Sequence, residues 1–246
     1  MIRVVFSALF ALGVALPCAA QYPDRPLTII AGFPAGGLVD IVSRVVAEGM
    51  KPKFPKGVVV VNKPGAGGAV AVSEVVQAKP DGYTIVLTPL SSLVIGPQLN
   101  RDLSYKTPDD YEPVINLVAY YPLLVVRSDA PWKTIQEFVG EGKTSPGKLR
   151  VGTPGEGTSS HLNLEEFMFR TGVKLTHVPY AGWGQSSPAL LGGHIEAVVD
   201  DPAFATTMTA RGVDVDYRSG DKLRADLWRE YRLHTEILHR IGLIKQ

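Results

Sequence analysis

Leu27-Thr28-Ile29-Ile30-Ala31-Gly32-Phe33-Pro34-Ala35-Gly36-Gly37, running directly into Leu38-Val39-Asp40-Ile41-Val42, is the stretch on which the fold turns. Its apolar run Leu27–Gly32 is too short for a helix and lacks polar alternation, which is the pattern of a strand buried on both faces. The Gly/Pro loop at 32–37 can continue neither strand nor helix, and from Val39 to Met50 the apolar residues recur at helical spacing. Strand, glycine loop and helix in that order form the unit of a parallel sheet.

The same order repeats outward along the chain. Further strands are expected at Val58–Asn62, Tyr83–Thr88, Leu123–Val126, Leu149–Gly152, Thr176–Val178 and Ile195–Val199, with amphipathic helices at Ala69–Ala78, Ile135–Glu141 and Ser160–Arg170. The class is α/β with parallel-rich sheets. A polar, turn-rich seam at Arg101–Pro113 separates two such groups, so two lobes are expected, each with its own sheet. Ligands of open α/β sheets bind beyond the carboxyl ends of the strands and at domain interfaces, which directs attention to the loops after strands.

Composition narrows the function. The 246 residues carry 25 basic and 24 acidic side chains, a balance that gives no broad attraction to nucleic acid. Residues 1–20 have the anatomy of a secretory signal peptide: Arg3, the apolar run Val4–Leu16, and small residues up to Ala20, with cleavage expected before Gln21. Cleavage would remove Cys18, the single cysteine, and with it any disulfide, thiolate nucleophile or cysteine-based metal site. The expected location is the periplasm.

Three loops could hold a ligand. Phe33-Pro34-Ala35-Gly36-Gly37 lets backbone approach closely and leads into a helix start, where free N–H groups favour an anion without any basic side chain. Gly155-Glu156-Gly157-Thr158-Ser159-Ser160 adds three hydroxyls at another helix start, of which Thr158 or Ser159 also suits a helix N-cap. Thr88-Pro89-Leu90-Ser91-Ser92 is a weaker copy, equally readable as a polar turn. Asp200 and Asp201 follow the last strand and could hold an ammonium group, although Asp201-Pro202 also reads as a turn. Asn62–Ala69 lacks both the G-x-G-x-x-G spacing and the Gly-Lys-Ser/Thr of a phosphate loop, so no nucleotide cofactor is expected.

Taken in order, Tyr22-Pro23-Asp24-Arg25-Pro26, Phe33–Asp40, Val61–Gly68, Ala78-Lys79-Pro80-Asp81-Gly82-Tyr83-Thr84, Ser145–Leu149, Gly155–Leu162, His177-Val178-Pro179-Tyr180 and Leu191–Glu196 resemble the tripartite tricarboxylate transporter substrate-binding proteins, the Bug family. The resemblance spans Tyr22 to about Ala205. It implies a two-lobed, type II Venus-flytrap periplasmic binding fold, with lobe one at 21–118, lobe two at 119–210 and a helical tail at 211–246 returning to lobe one. It also implies capture of a small organic carboxylate or acidic amino acid, held by backbone N–H groups and water, and delivery to membrane permease subunits by a monomer. The ligand-binding residues so implied are Phe33, Pro34, Ala35, Gly36, Gly37, Asp40, Thr88, Ser91, Ser92, Gly155, Gly157, Thr158, Ser159, Ser160, Tyr180 and Asp201. A periplasmic sensor that presents its liganded form to a receptor is the alternative.

The chain departs from the family after Asp201-Pro202-Ala203-Phe204-Ala205. The family's remaining second-lobe residues and its return strand to lobe one are replaced by a short run to Ser219 and an amphipathic helix carrying Leu223, Leu227, Tyr231 and Leu238. This reads as an internal deletion, the alternative being a compact member. Its expected consequences are exposed sheet edges in lobe one, a flytrap with one interlobe connection, and weak binding or instability.

Other classes fare worse. A serine hydrolase using Ser159 or Ser160 would need a nucleophile elbow, and Gly157-Thr158-Ser159-Ser160-His161 lacks the closing glycine. His161, His177 and His194 have no paired-ligand spacing, so no metal is expected, and His161 reads as a first-turn hydrogen-bonding residue. The chain is therefore expected not to be an enzyme.

Overall fold

The computed structural model describes residues 22–117, 123–200 and 220–245. The expected signal peptide, Asp201 and the segment of the suspected deletion lie outside them. The first sheet consists of β1 (Leu27–Ala31), β2 (Val58–Asn62) and β3 (Thr84–Leu87) in the order β2-β1-β3. All its pairings are parallel, with Leu27 opposite Val58 and Thr28 opposite Thr84. The second sheet consists of β4 (Leu123–Val126), β5 (Arg150–Thr153), β6 (Thr176–Pro179) and β7 (Ala197–Asp200) in the order β4-β7-β5-β6. Only β4 runs antiparallel, pairing Leu124 with Val199. Every strand expected from the sequence is present, shifted by at most two residues at an end.

Between the strands run α1 (Leu38–Met50), α2 (Ala69–Gln77), α3 (Leu90–Val94), α4 (Gly96–Leu99), α5 (Ile135–Thr144), α6 (Ser159–Thr171) and α7 (Trp183–Leu191). Helix α5 starts on a capping box between Thr134 and Glu137, and α6 ends at Gly172 in the left-handed conformation that glycine tolerates. The second sheet packs on Phe138, Leu149, Val151, Leu164, Val173 and Leu175. In the first sheet β1 is buried along most of its length, whereas β2 and β3 are only half-buried and Val59 is 49% exposed.

Two local readings need correction. Leu90–Val94 is helical, not a polar turn, because Leu93 and Val94 turn inward to apolar clusters while Ser91 and Ser92 are also buried. Helix α7 was not foreseen, since Gly182, Gly184 and an internal Pro188 argue against a helix locally; tertiary packing of Leu190 with Ile195 and Val198 prevails.

The tail forms α8 (Gly220–Arg240), and it touches both lobes. Leu227 and Leu238 are fully buried with Val94 and Ile95 of lobe one and Leu162 of α6 in lobe two. On the lobe-one side Arg224 donates to the Pro108 and Tyr111 carbonyls, Trp228 Nε1 donates to Asp109, and the Thr235 hydroxyl donates to Gln98. On the other side Arg240 pairs with Glu166 of α6 at 2.5 Å. Truncating a buried leucine of this kind costs about 2–5 kcal/mol, so α8 is a substantial tie between the lobes. No helix among the described residues is long and apolar enough to cross a membrane.

Candidate functional site

The loops after β1, β3, β5 and β6 all leave the carboxyl ends of parallel strands, and they meet at one cavity of about 180 Å3 between the lobes. Lobe one supplies Phe33, Pro34, Ala35, Gly37, Leu38 and Val39 from the first loop and helix, with Pro89 and Ser91 from the third-strand loop. Lobe two supplies Pro154 and Thr158, then Gly182, Trp183, Gly184 and Gln185. A second space, lined by Gly65–Gly68, Gly155, Glu156, Tyr180 and Ala181, adjoins the first and shares Phe33 and Pro154 with it.

Three helices of at least two turns begin at this cavity, and their starts differ. Helices α1 and α7 begin on Gly37 and Gly182, which offer no side chain, and neither start is capped by any side-chain hydrogen bond. The first N–H groups of a helix have no partner within it, and together they carry about half a positive charge. Helix α6 begins instead on Thr158, whose oxygen accepts from the His161 N–H at 3.3 Å and whose hydroxyl donates to the Gly155 carbonyl at 2.7 Å. The fourth wall contributes a side chain: the Ser91 hydroxyl is buried at the cavity and has no hydrogen-bond partner among the described residues.

The site residues expected from the sequence therefore fall into groups. Phe33, Pro34, Ala35, Gly37, Ser91 and Thr158 line the main cavity. Gly155 and Tyr180 line the adjoining space. Thr88 and Ser92 act on the wall: Thr88 donates to Ser92, and Ser92 donates to the Gly67 carbonyl at 2.6 Å. A Cβ at Gly68 would come within 2.5 Å of the Ser92 oxygen, which explains the glycine run there. Buried Asp40 accepts from the Gly36 N–H at 2.9 Å and from Arg44, so it shapes the first loop from behind. Burial pushes its carboxyl up, but the bonds from Arg44, Gly36 and Asn62 outweigh that and hold it below the usual carboxylate range. Gly36, Gly157, Ser159 and Ser160 lie beside the cavity loops without lining either space, and Gly157 abuts Leu99 of lobe one.

Sequence reasoning missed Gly182-Trp183-Gly184-Gln185 as a wall. The signal was available, because Tyr180-Ala181-Gly182 follows β6 in the same strand, glycine loop, helix order as the others. It also separated two histidines that the fold joins: the rings of His161 and His177 stack 4.2 Å apart. His161 Nδ1 accepts from the Gly157 N–H, Glu165 lies 3.5 Å from its Nε2, and His177 Nε2 meets the Thr153 hydroxyl at 2.7 Å. These bonds tie the histidines to loop backbone and a threonine and to no serine. No group of three or more metal-ligating side chains occurs among the described residues.

Two lobes with a cavity between the carboxyl ends of their strands, helix N-termini facing inward and no charged side chain lining the main chamber define a binding protein for small solutes. Residues 42–215 match the Tripartite tricarboxylate transporter family receptor, and the chain belongs to that family. It is 40% identical over 211 residues to a UPF0065 protein encoded in the gbd 5′ region of Cupriavidus necator, covering 82% of this chain and 62% of that protein. Its fold is similar to that of the periplasmic binding protein BugD, with a TM-score of 0.79 at 24% identity over 92% of this chain and all of that structure. It is also similar to MatC of Rhodopseudomonas palustris, solved with bound malate, at 28% identity and a TM-score of 0.68, over 80% of this chain and 66% of that one. The family and the fold relatives are binding proteins, not enzymes. The chain spans about 62% of the curated C. necator relative's length, which agrees with a chain shorter than its kin.

Proposed function

We propose that this chain is a periplasmic solute-binding receptor, exported by its N-terminal segment, that captures a small organic carboxylate for the membrane subunits of a tripartite tricarboxylate-type transporter. One observation carries this reading: the uncapped starts of α1 and α7, the start of α6 and the free Ser91 hydroxyl converge on one cavity that no charged side chain lines. Such a chamber suits an anion that brings its own charge and lacks a basic partner. The malate bound by MatC supports the same chemistry.

In this reading the ligand carboxylate sits against the backbone of Phe33–Gly37 and Gly155–Ser160 with the Ser91 hydroxyl donating. Thr88, Ser92, Asp40 and Tyr180 hold the walls. Asp201 would approach from the end of β7. Both walls come from one chain, which supports action as a monomer. A thermal-shift screen of the purified protein against organic acids, acidic amino acids, sugars and inorganic phosphate tests the proposal. Organic acids should raise the melting temperature by several degrees; stabilisation by sugars or phosphate alone would overturn it.

A further inference from the structure

The walls of the main cavity also bear on what the carboxylate is attached to. Away from the helix starts they are apolar: Phe33, Leu38 and Val39 on one side, Pro89 and Pro154 at the ends, and Trp183 opposite. Gln185 is exposed, and its carbonyl oxygen is occupied by the Ala181 N–H. The Thr158 hydroxyl is committed within its own loop. Ser91 is thus the single uncommitted polar side chain described at the cavity, and one hydroxyl beside the helix starts serves one carboxylate. A second carboxylate on the same ligand would lie against the Phe33 ring or the Trp183 indole, desolvated and without a partner, which is strongly unfavourable.

Size points the same way. The chamber measures about 180 Å3, and an apolar cavity of roughly 150 Å3 holds a benzene ring. Trp183 is the wall residue best placed to sense that ring. It stands at the first position of α7, half-buried, and leans on the Leu190, Ile195 and Val198 cluster, which fixes its indole across from Phe33. A Cβ on the adjacent Gly182 would already lie 3.8 Å from the Phe33 ring, so the two sides of the chamber close to about one ring's width here.

We infer that the cavity selects a monocarboxylate with a compact apolar body, of the size of one ring or a short branched alkyl chain, and that Trp183 is its specificity-determining wall. The inference rests on the carboxylate-binding reading above and goes beyond it. It is tested by calorimetric titration of the purified protein with benzoate, 4-methylpentanoate, malate, adipate and uncharged benzyl alcohol. The apolar monocarboxylates should bind at least ten times more tightly than malate or adipate. Trp183→Ala should lose that preference through weaker benzoate binding, and Trp183→Phe should retain most of it, with circular dichroism confirming that each variant is folded. Equal or tighter binding of malate or adipate overturns this inference and leaves the carboxylate reading standing. Benzyl alcohol binding as tightly as benzoate, or a folded protein that binds none of the acids, overturns the carboxylate reading as well.

Discussion

Helices α1 and α6 point their first turns into the same cavity from opposite lobes, and they begin in contrary ways. Helix α1 starts on Gly37 with no side-chain cap, so its leading N–H groups are left to whatever occupies the chamber. Helix α6 starts on Thr158, which satisfies one leading N–H, donates to Gly155 and lies above a histidine that takes the Gly157 N–H. The hydroxyl-rich loop is thus mostly occupied with its own conformation, and the bare glycine loop keeps its hydrogen-bonding capacity open. A missing cap is a cost of about 1 kcal/mol in an ordinary helix. At a ligand site the same omission is the binding capacity itself.

The most severe way to break the contrast is to give α1 the cap it lacks. In Gly37→Asp the new carboxylate would accept the free N–H groups of Leu38 to Asp40 and place a negative charge where the ligand's is proposed to lie. The backbone at Gly37 is extended, and a Cβ there would meet only the Pro34 carbonyl at 3.5 Å, so the change fits the fold. Carboxylate affinity should fall at least 100-fold while stability rises by about 0.5 kcal/mol, read by calorimetry and thermal melts. Gly37→Ala serves as the control and should keep most of the affinity. If the Asp variant binds normally, α1 is not the anion-reading helix.

Acid should affect the two helices unequally, because only α6 rests on titratable rings. Burial, reinforced by neighbouring His161, pushes the His177 imidazole down to about 4. Burial also lowers His161, with Glu165 and Glu156 opposing without cancelling it. The unfolded chain takes up these protons near 6.5, so between about 6.5 and 4 it binds more protons than the folded one. Stability is therefore complete above about pH 6.5 and should decline as pH falls toward about 4. Melting temperatures across that range should show the decline, and His177→Gln should flatten it. An unchanged slope in the variant would remove the histidine pair from the account.

Removing the existing cap should cost less. Thr158→Ala deletes the acceptor for the His161 N–H and the donor to Gly155, and should destabilise the protein by about 1 kcal/mol. In a chain of this size that is about 2–4 °C in melting temperature. Thr158→Ser should restore it, since the hydroxyl and not the methyl makes both bonds. A loss of carboxylate affinity out of proportion to the lost stability would show that Thr158 acts on the ligand as well as on its loop.

How far the sequence announces all this depends on whether a feature is local. Strands such as Val58–Asn62 and Leu123–Val126 declare themselves, because continuous β-branched and apolar runs between turns permit little else. The loops after β1 and β5 are equally legible, since glycines before an amphipathic helix have a direct backbone meaning. Helix α7 is not legible, because Pro188 and two glycines lower its intrinsic preference and only the distant Ile195 and Val198 stabilise it. The His161–His177 stack escapes for a similar reason: sixteen residues of sequence separate rings that β6 and α6 bring together. Leu227 and Leu238 show as one face of an amphipathic helix, but that the face would clasp Val94 and Leu162 of different lobes is a property of the packed molecule.

Ser159 is the smallest and sharpest test of the comparison. From sequence it ranks among the leading ligand contacts, being a hydroxyl at a helix start between two others. In the structure it opens α6, half-buried, and lines neither the main cavity nor the adjoining space. Its neighbour Thr158 already serves as the cap, so its side chain has no structural bond to lose. Ser159→Ala should therefore change stability by about 0.5 kcal/mol or less, and carboxylate affinity by less than about threefold, equivalent to about 0.6 kcal/mol. A tenfold loss would mean that the ligand is read by the hydroxyls of α6 after all. The contrast between the bare and the capped helix would then be one of folding and not of recognition.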